Sequence, residues 1–389
     1  MRASRRHRMT TFCAGYFFLL SLVAFAEDVI PHQAQNLSLR NEVQLSLDKG
    51  LEWLRKNQNQ DGSWSLNEHP ALTALPLTAF MSEPSEKFRK ELPEFIGKGY
   101  EFLLGCVHSD GGIYRKGLTN YNTSLSVLAL VSANDPKFKP VIRAARDFII
   151  GQQARGLTDP SMDGGMGYGA EGSGRAHPDM SNTVAALEAL YRSKRTATDE
   201  LTKDKDLNWK AAIEFLQRCQ NLPAYNKEPW ASADDDNKGG FIYFPGESMA
   251  GEMQTSDGRK VLRSYGSMSY AGLLSYIYAD LEKDDARVQA VVDWLCKHYT
   301  VDENPGMGGD GRYYYYHMMA KALATYGMRE LSLADGRKAD WRKELALKLI
   351  DLQKADGSWT NTSGRWMEKD PVLVTAYSVL TLEIIYRAL

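Results

Sequence analysis

The chain has 389 residues, of which 43% are hydrophobic and 25% are charged. That composition excludes the intrinsically disordered, collagen-like and disulfide-scaffold classes. The 47 lysines and arginines nearly balance the 49 aspartates and glutamates, which excludes the basic surface typical of a nucleic-acid-binding protein.

The first 26 residues have the pattern of a secretory signal peptide. Four arginines before residue 9 precede an apolar run over residues 12–25, and a small-x-small cleavage sequence ends at Ala26. The apolar run is shorter than the roughly 20 residues that a membrane-spanning helix needs. We therefore predict cleavage after Ala26, a protein exported to the periplasm or the cell exterior, and no membrane span in the mature chain. An uncleaved membrane anchor is the alternative.

The remaining chain repeats one helical motif six times. Each copy reads as a small or branched residue, any residue, usually an acid, an aromatic and an aliphatic, as in GLEWL at 50–54. The other copies begin at residues 99, 145, 212, 291 and 346. A self-similar unit of about 50 residues is typical of a repeat architecture.

A second, nearly apolar helix follows each motif after a turn rich in aspartate and glycine. The turn at 61–64 (DGSW) is representative: glycine supplies the left-handed backbone that ends a helix, and the aromatic covers the helix end. The second helices lack a charged face, so we expect them to be buried on most sides. They are predicted over 123–131, 181–191, 267–279, 316–326 and 372–386.

Six such helix pairs predict an all-α fold, an α/α toroid in which apolar inner helices and amphipathic outer helices form a double ring. An open solenoid is the competing architecture. Closure of the ring would place Trp53 of the first pair and Leu349 of the last on neighbouring outer helices. The predicted organisation is a signal peptide over 1–26, a lead-in over 27–46 and a single toroid domain over 47–389. The insertions at 154–178 and 221–263 should be loops over one mouth of the ring.

Two Gln-x-x-Asp-Gly-x-Trp runs, at 58–64 and 353–359, resemble the repeat of squalene cyclases and protein prenyltransferase β subunits. The resemblance implies the α/α-toroid fold. It also implies a structural role for the motif, whose Gln and Trp tie a helix end to its neighbour. The motif residues are Gln58, Gly62, Trp64, Gln353, Gly357 and Trp359.

The same resemblance argues against the acid chemistry of squalene-hopene cyclases, which protonate their substrate with an Asp-x-Asp-Asp-Thr run at the start of an inner helix. The best match is DMSNT at 179–183, where Asp179 and Thr183 fit but Ser181 stands at the position of the proton donor. A serine hydroxyl does not protonate an alkene. Asp179 and Ser181 are then interpreted as helix N-cap residues.

Prenyltransferase β subunits hold zinc with an Asp, a Cys and a His, and this set is incomplete here. The resemblance puts His317 at the histidine position, but Tyr265 and Ser267 at the other two. A zinc site normally needs at least three protein ligands. We therefore expect no metal and no cofactor, and exclude a zinc-dependent protein prenyltransferase.

Four consecutive tyrosines, Tyr313–Tyr316, precede His317 at the start of the fifth inner helix. A helix turns about 100° per residue, so we expect one or two of these tyrosines, with His317 or Tyr265, to face the central cavity. Aromatic faces suit an apolar or cationic guest; packing in the core is the alternative. The predicted ligand-binding residues are Tyr265, Tyr313, Tyr314, Tyr315, Tyr316 and His317.

The predicted function is that of an exported toroid that binds an apolar small molecule or lipid, of isoprenoid type, in its central cavity. The sequence leaves open whether the protein is an enzyme; as an enzyme it would be terpene-cyclase-like. One alternative is a non-catalytic scaffold whose rim loops bind protein or glycan. Another is a glycan lyase or hydrolase that uses paired carboxylates, with Asp179, Glu368 and Asp370 as candidates.

Overall fold

The computed structural model describes residues 30–169, 177–196, 206–255 and 257–389, so the predicted signal peptide lies outside the described residues. The helices in these ranges are α1 (Ile30–Lys56), α2 (Ala71–Ser82), α3 (Lys87–Lys90), α4 (Glu94–Leu104), α5 (Thr119–Ala133), α6 (Lys139–Gly151), α7 (Met180–Thr196), α8 (Trp209–Cys219), α9 (Gly266–Tyr278), α10 (Ala286–Lys297), α11 (Arg312–Tyr326), α12 (Trp341–Leu352) and α13 (Pro371–Ala388). The strands are β1 (Glu252–Gln254), β2 (Lys260–Leu262), β3 (Leu331–Ser332) and β4 (Lys338–Ala339).

The helices form a closed double ring. The inner ring runs α2, α5, α7, α9, α11, α13, each packed on the next, and α13 packs on α2. The outer helices α1, α4, α6, α8, α10 and α12 each pack on inner helices, and α12 also contacts α1. The helices that carry Trp53 and Leu349 are therefore neighbours, and the predicted α/α toroid is confirmed.

Burial explains which helices are inside. In α9, twelve of the thirteen residues are buried, whereas α8 buries only Ala212, Phe215, Leu216 and Cys219, which share one helix face at the spacing i, i+3, i+4, i+7. By length and composition α13 could cross a membrane, but it is an inner helix of the ring and 72% of its apolar stretch is buried.

The glutamine-tryptophan motif joins the end of one outer helix to the start of the next. Gln58 Nε2 donates to the carbonyls of Gly62 at 2.9 Å and Phe95 at 2.8 Å, the latter on α4. Trp64 Nε1 donates to the carbonyl of Leu54 in the last turn of α1 at 2.8 Å. The two side chains therefore hold the turn against backbone carbonyls of two neighbouring outer helices.

The last copy of the motif closes the ring. Gln353 Nε2 donates to the carbonyls of Gly357 and of Ser46 on α1, both at 3.0 Å. Gln153 and Gln220 make the equivalent pair of hydrogen bonds in copies without the tryptophan. The glutamine is therefore the more general part of the repeat.

Two features of the fold go beyond what the sequence predicted. The helix α1 begins at Ile30, so the predicted lead-in over 27–46 is in fact largely the first half of an outer helix. There Val43 is fully buried and Asn36 donates to the carbonyl of Leu389 at 3.2 Å. The repeat pattern missed this half because it packs on α13, across the ring closure.

Short strands also occur where the sequence gave no alternation to predict them. The strand β1 pairs antiparallel with β2 inside the second insertion, and β3 pairs with β4 between α11 and α12. The stretch 239–243, the one place with some strand character, forms a single bridge between Gln220 and Phe241. These strands have two or three residues each, too short for a periodic signal.

Candidate functional site

The inner ring encloses two adjoining cavities. The mouth chamber, about 360 Å³, lies at the N-terminal ends of the inner helices. The deep chamber, about 570 Å³, lies between their middle and C-terminal turns. Both volumes fall in the range of about 300–1,000 Å³ that is usual for small-molecule sites.

Helical periodicity decides which residues line these chambers. On α11 the side chains facing the deep chamber are Tyr314, His317, Met318, Lys321 and Thr325. This i, i+3, i+4, i+7 spacing places them on one face. One face of each inner helix points inward, so the lumen takes about one residue in three from the inner helices.

The tyrosine run of α11 divides between lumen and packing. The hydroxyls of Tyr315 and Tyr316 donate to the carbonyls of Thr300 and Val301 at 2.7 and 2.5 Å, and Tyr313 packs edge-on against Tyr316. These three side chains lie away from both chambers. The predicted ligand-binding residues that the structure places at the lumen are Tyr265, Tyr314 and His317.

Seven of the nineteen residues that line the mouth chamber are tyrosine or tryptophan. Tyr265 and Tyr314 come from the inner-helix starts, whereas Tyr168 and Tyr243 come from the two insertions and Trp366 from the loop before α13. Sequence analysis missed the last three. Tyr168 and Tyr243 are the aromatic residues that close the glycine-rich turns at 163–168 and 239–243. In the sequence, an aromatic at this position predicts only a cover for the helix end.

A constriction separates the two chambers, and we call it the tyrosine partition: Tyr121, Ser181, Tyr314 and Tyr377, the residues that line both chambers. The hydroxyls of Tyr121 and Tyr377 lie 3.1 Å apart, and the ring of His317 stacks on Tyr377. Burial raises the pKa of Tyr314 and Tyr377 well above the usual value, so both phenols are neutral hydrogen-bonding groups.

Asp179 lies behind the lumen wall and caps α7. One carboxylate oxygen accepts the backbone N–H of Asn182 at 2.9 Å and the other its side-chain amide at 2.8 Å. Complete burial raises the pKa of Asp179 to about 7, against the hydrogen bonds from Asn182. Two residues later, Ser181 faces both chambers, so the position of the cyclase proton donor is at the lumen but holds a hydroxyl.

The other two predicted acids also bind helix N-termini. Glu368 accepts the backbone N–H groups of Tyr313 at 3.3 Å and Tyr314 at 2.8 Å, at the start of α11. Asp370 accepts the N–H of Val372 at 2.8 Å at the start of α13. Of the three acids only Glu368 lines the mouth chamber, so they do not form a facing carboxylate pair.

The residues at the prenyltransferase zinc positions do not fit a zinc ion. Tyr265 and Ser267 line the mouth chamber and offer a phenol and a hydroxyl, while His317 lies on the adjacent inner helix. Burial lowers the pKa of His317 well below its usual value, so the ring is neutral. No group of three His, Cys, Asp or Glu residues in the described ranges could hold a metal ion.

The deep chamber contains charged side chains that sequence analysis missed. Lys321 forms an ion pair with Glu188, with side chains only 9% and 6% exposed, and Arg192 Nε lies 3.6 Å from the other oxygen of Glu188. Burial opposes ionisation, but the two cations still lower the pKa of Glu188. In the sequence, Glu188 and Lys321 are charged residues within largely apolar segments of α7 and α11. This pattern could have indicated a buried polar site.

Glu383 also lines the deep chamber and has no hydrogen-bond partner for either carboxyl oxygen. Its side chain is 1% exposed, and this burial raises its pKa well above the usual value although Arg387 acts in the opposite direction. Burial therefore favours the protonated form of this carboxyl group.

Comparisons with known proteins identify the fold. No family model matches the chain, and no curated protein matches it. The type II terpene cyclase MstE from Scytonema superposes with a TM-score of 0.54 at 12% identity, over 90% of this chain and 99% of the cyclase. A variant of that cyclase with its substrate geranylgeranyl dihydroxybenzoate gives 0.55 at 12% identity over the same shares.

Glycan-cleaving enzymes match at a similar level. An inactive α-1,6-mannanase from Salegentibacter in complex with α-1,6-mannotriose has a TM-score of 0.54 at 10% identity, over 89% of this chain and 100% of the mannanase. An α-mannanase from Bacteroides thetaiotaomicron has a TM-score of 0.53 at 10% identity, over 89% and 95%. At such identities these likenesses establish the terpenoid-cyclase-like toroid fold.

Proposed function

We propose that this protein binds an apolar, isoprenoid-type chain in the lumen of its toroid. The observation that carries the proposal is the mouth chamber, whose wall includes six tyrosines and one tryptophan from inner-helix starts, the insertions and the loop before α13. Aromatic faces bury large apolar areas and suit an unsaturated hydrocarbon chain. The adjoining deep chamber extends the space beyond the tyrosine partition.

The chemistry of the comparison proteins supports this ligand class. The terpene cyclase that shares the fold takes geranylgeranyl dihydroxybenzoate as its substrate. The predicted signal peptide would export the protein. We therefore include in the proposal that the protein binds this ligand outside the cytoplasm.

Binding without acid-catalysed cyclisation fits the residues best. The lumen-facing position of the cyclase acid is Ser181, and Asp179 is occupied as the N-cap of α7. Cleavage of glycans is less well supported, because Asp370 and Asp179 lie away from the chambers and Glu368 is bonded to the start of α11.

The test measures binding of geranylgeraniol to the purified protein by quenching of tryptophan fluorescence, together with mass spectrometry of its organic extracts. Ser181→Leu adds apolar bulk at the tyrosine partition and should lower the affinity at least tenfold with little change in melting temperature. Tyr315→Phe alters a tyrosine outside both chambers and serves as the matched control. Wild-type protein that neither binds geranylgeraniol nor yields an isoprenoid would overturn the proposal, as would equal affinity in Ser181→Leu.

A further inference from the structure

The deep chamber differs from the mouth chamber in its charge. Four cations line it, namely Arg89, Arg192, Lys321 and Arg387, against the two acids Glu188 and Glu383. The mouth chamber has no lysine or arginine among its lining residues. One end of a continuous, otherwise apolar lumen is thus strongly polar.

The charges in the deep chamber do not balance. Glu188 is shared between Lys321 and Arg192 and compensates one of them. The buried carboxyl of Glu383 has no hydrogen-bond partner, and burial raises its pKa, which favours the neutral form. Among the lining residues the cations therefore outnumber the acids by four to two, although Arg89 also lies 3.8 Å from Glu86 outside the chamber; His317, which also lines it, is neutral.

Capping of helix C-termini explains only part of this arrangement. Arg89 donates to the carbonyl of Ser132 at 3.1 Å, at the end of α5, and Arg387 donates to the carbonyl of Ser82, at the end of α2. However, Arg146 and Arg342 make the same kind of contact to α7 and α13 from outer helices, without facing the lumen. Capping does not require an arginine in the chamber, and a guanidinium with five N–H donors keeps several of them for another acceptor.

The rim of the deep chamber is also accessible. The side chains of Arg89 and Arg192 are 37% and 51% exposed. Glu383 lies further inside, and burial raises the pKa of its carboxyl, which favours the protonated form that can donate one hydrogen bond to an anion. Arginines at the edge and a neutral donor inside form a graded set of donors for negatively charged oxygens.

We infer that the deep chamber binds the anionic head group, a carboxylate or a phosphate, of an amphipathic ligand whose apolar chain lies in the mouth chamber. This inference rests on the proposed function and specifies its ligand class. The ligand would cross the tyrosine partition, with its head towards the C-terminal ends of the inner helices.

The experiment compares farnesol, farnesoic acid and farnesyl monophosphate, which share one chain, by isothermal titration calorimetry with the full-length protein. Charge-assisted hydrogen bonds should make one or both anions bind about tenfold more tightly than the alcohol. Preference for the acid would identify a carboxylate ligand, and preference for the monophosphate a phosphate ester. Arg192→Gln should reduce this preference, and Arg192→Gln combined with Arg387→Gln should abolish it, while the affinity for farnesol stays unchanged.

Lys116→Gln is the control. Lys116 lies in the loop before α5, outside both chambers, and forms an ion pair with Glu68. It should leave all three affinities unchanged. Equal binding of alcohol and anions by the wild type, or an anion preference that survives in Arg192→Gln and in the double variant, would overturn the inference and leave the proposed function intact. If none of the three probes binds, both fall. Melting temperatures show whether the double variant is still folded. If it is not, the anion preference of Arg192→Gln alone tests the inference.

Discussion

Two residues in the lumen have buried polar atoms without a hydrogen-bond partner, which costs folding free energy and indicates a functional role. Both oxygens of Glu383 are buried without a hydrogen bond, and an unpaired buried polar group is rare in folded proteins. His317 has a buried Nδ1 without a partner on the same chamber. Unsatisfied groups that share one cavity are what a site for a polar ligand group requires.

Glu383 also makes the stability of the fold depend on pH. Its folded-state pKa is raised far above the value of about 4.3 that applies in the unfolded chain. Below that unfolded value both states are protonated and nothing is lost. As the pH rises above it, the unfolded state releases the proton and the folded state retains it, so the free energy of unfolding falls.

Glu383→Met should therefore raise the free energy of unfolding at pH 7 by about 1–3 kcal/mol, with a smaller gain at pH 4. Urea denaturation at both pH values measures this difference. Glu101→Met, at an exposed position of α4, is the control and should show no such dependence. A Glu383→Met variant that is less stable than the wild type at pH 7 would contradict the assignment of an unpaired, neutral carboxyl.

At the scale of elements, five of the six helix pairs have a glycine turn packed against the next outer helix. Gly357 has a φ of +95°, and a Cβ atom there would lie 2.6 Å from the carbonyl oxygen of Lys49 on α1. The equivalent Gly62 meets the carbonyl of Lys98 on α4. The glycine is needed both for the left-handed backbone and for the close approach of a neighbouring helix.

Gly357→Ala should therefore destabilise the fold by at least about 2 kcal/mol, because the strained backbone and the close contact add together. Gly97→Ala is the matched control: Gly97 lies inside α4 with no atom within 4 Å of an added Cβ, so helix propensity should make it neutral or stabilising by up to about 1 kcal/mol. Chemical denaturation of both variants provides the comparison. Equal stabilities would show that the turn tolerates a side chain.

The whole molecule is a ring whose first and last helices depend on each other. Ser46 Oγ donates to Gln353 Oε1 at 2.9 Å, and Gln353 Nε2 returns a hydrogen bond to the backbone of Ser46, 307 residues away in sequence. Gln58 makes the corresponding bonds between the first two pairs. In a closed ring the two junctions are equivalent, although one is local and the other joins the ends of the domain.

Gln353→Leu and Gln58→Leu should therefore lower the free energy of unfolding by similar amounts, about 1–3 kcal/mol each, because each leaves two carbonyls without their donor. Equilibrium unfolding should stay a single transition in both variants. Gln60→Leu, at an exposed position of the same turn, controls for the added apolar surface. A Gln353→Leu variant as stable as the wild type would indicate that the ends of the ring are not joined in solution.

The sequence by itself determined the helix pairs, their order and the closed ring. These follow from local rules: an amphipathic face on each outer helix, a nearly apolar inner helix, and glycine turns such as Gly62 and Gly357 that recur with the repeat. It also located the start of the fifth inner helix as a source of lumen residues, since Tyr314 and His317 lie three residues apart on one face.

Only the tertiary structure decided which side chains share the lumen. The rotation of each inner helix about its own axis is set by packing on two neighbours, so nothing local distinguishes Tyr314, which faces the chambers, from Tyr315, which packs outside them. Tyr168 and Tyr243 reach the mouth chamber through insertions with no periodicity. The juxtaposition of Lys321 with Glu188, 133 residues apart in sequence, exists only because the ring brings α7 and α11 to the same cavity, on either side of α9. Which side chains meet there depends on the rotation that packing gives each inner helix, and no local pattern encodes that rotation.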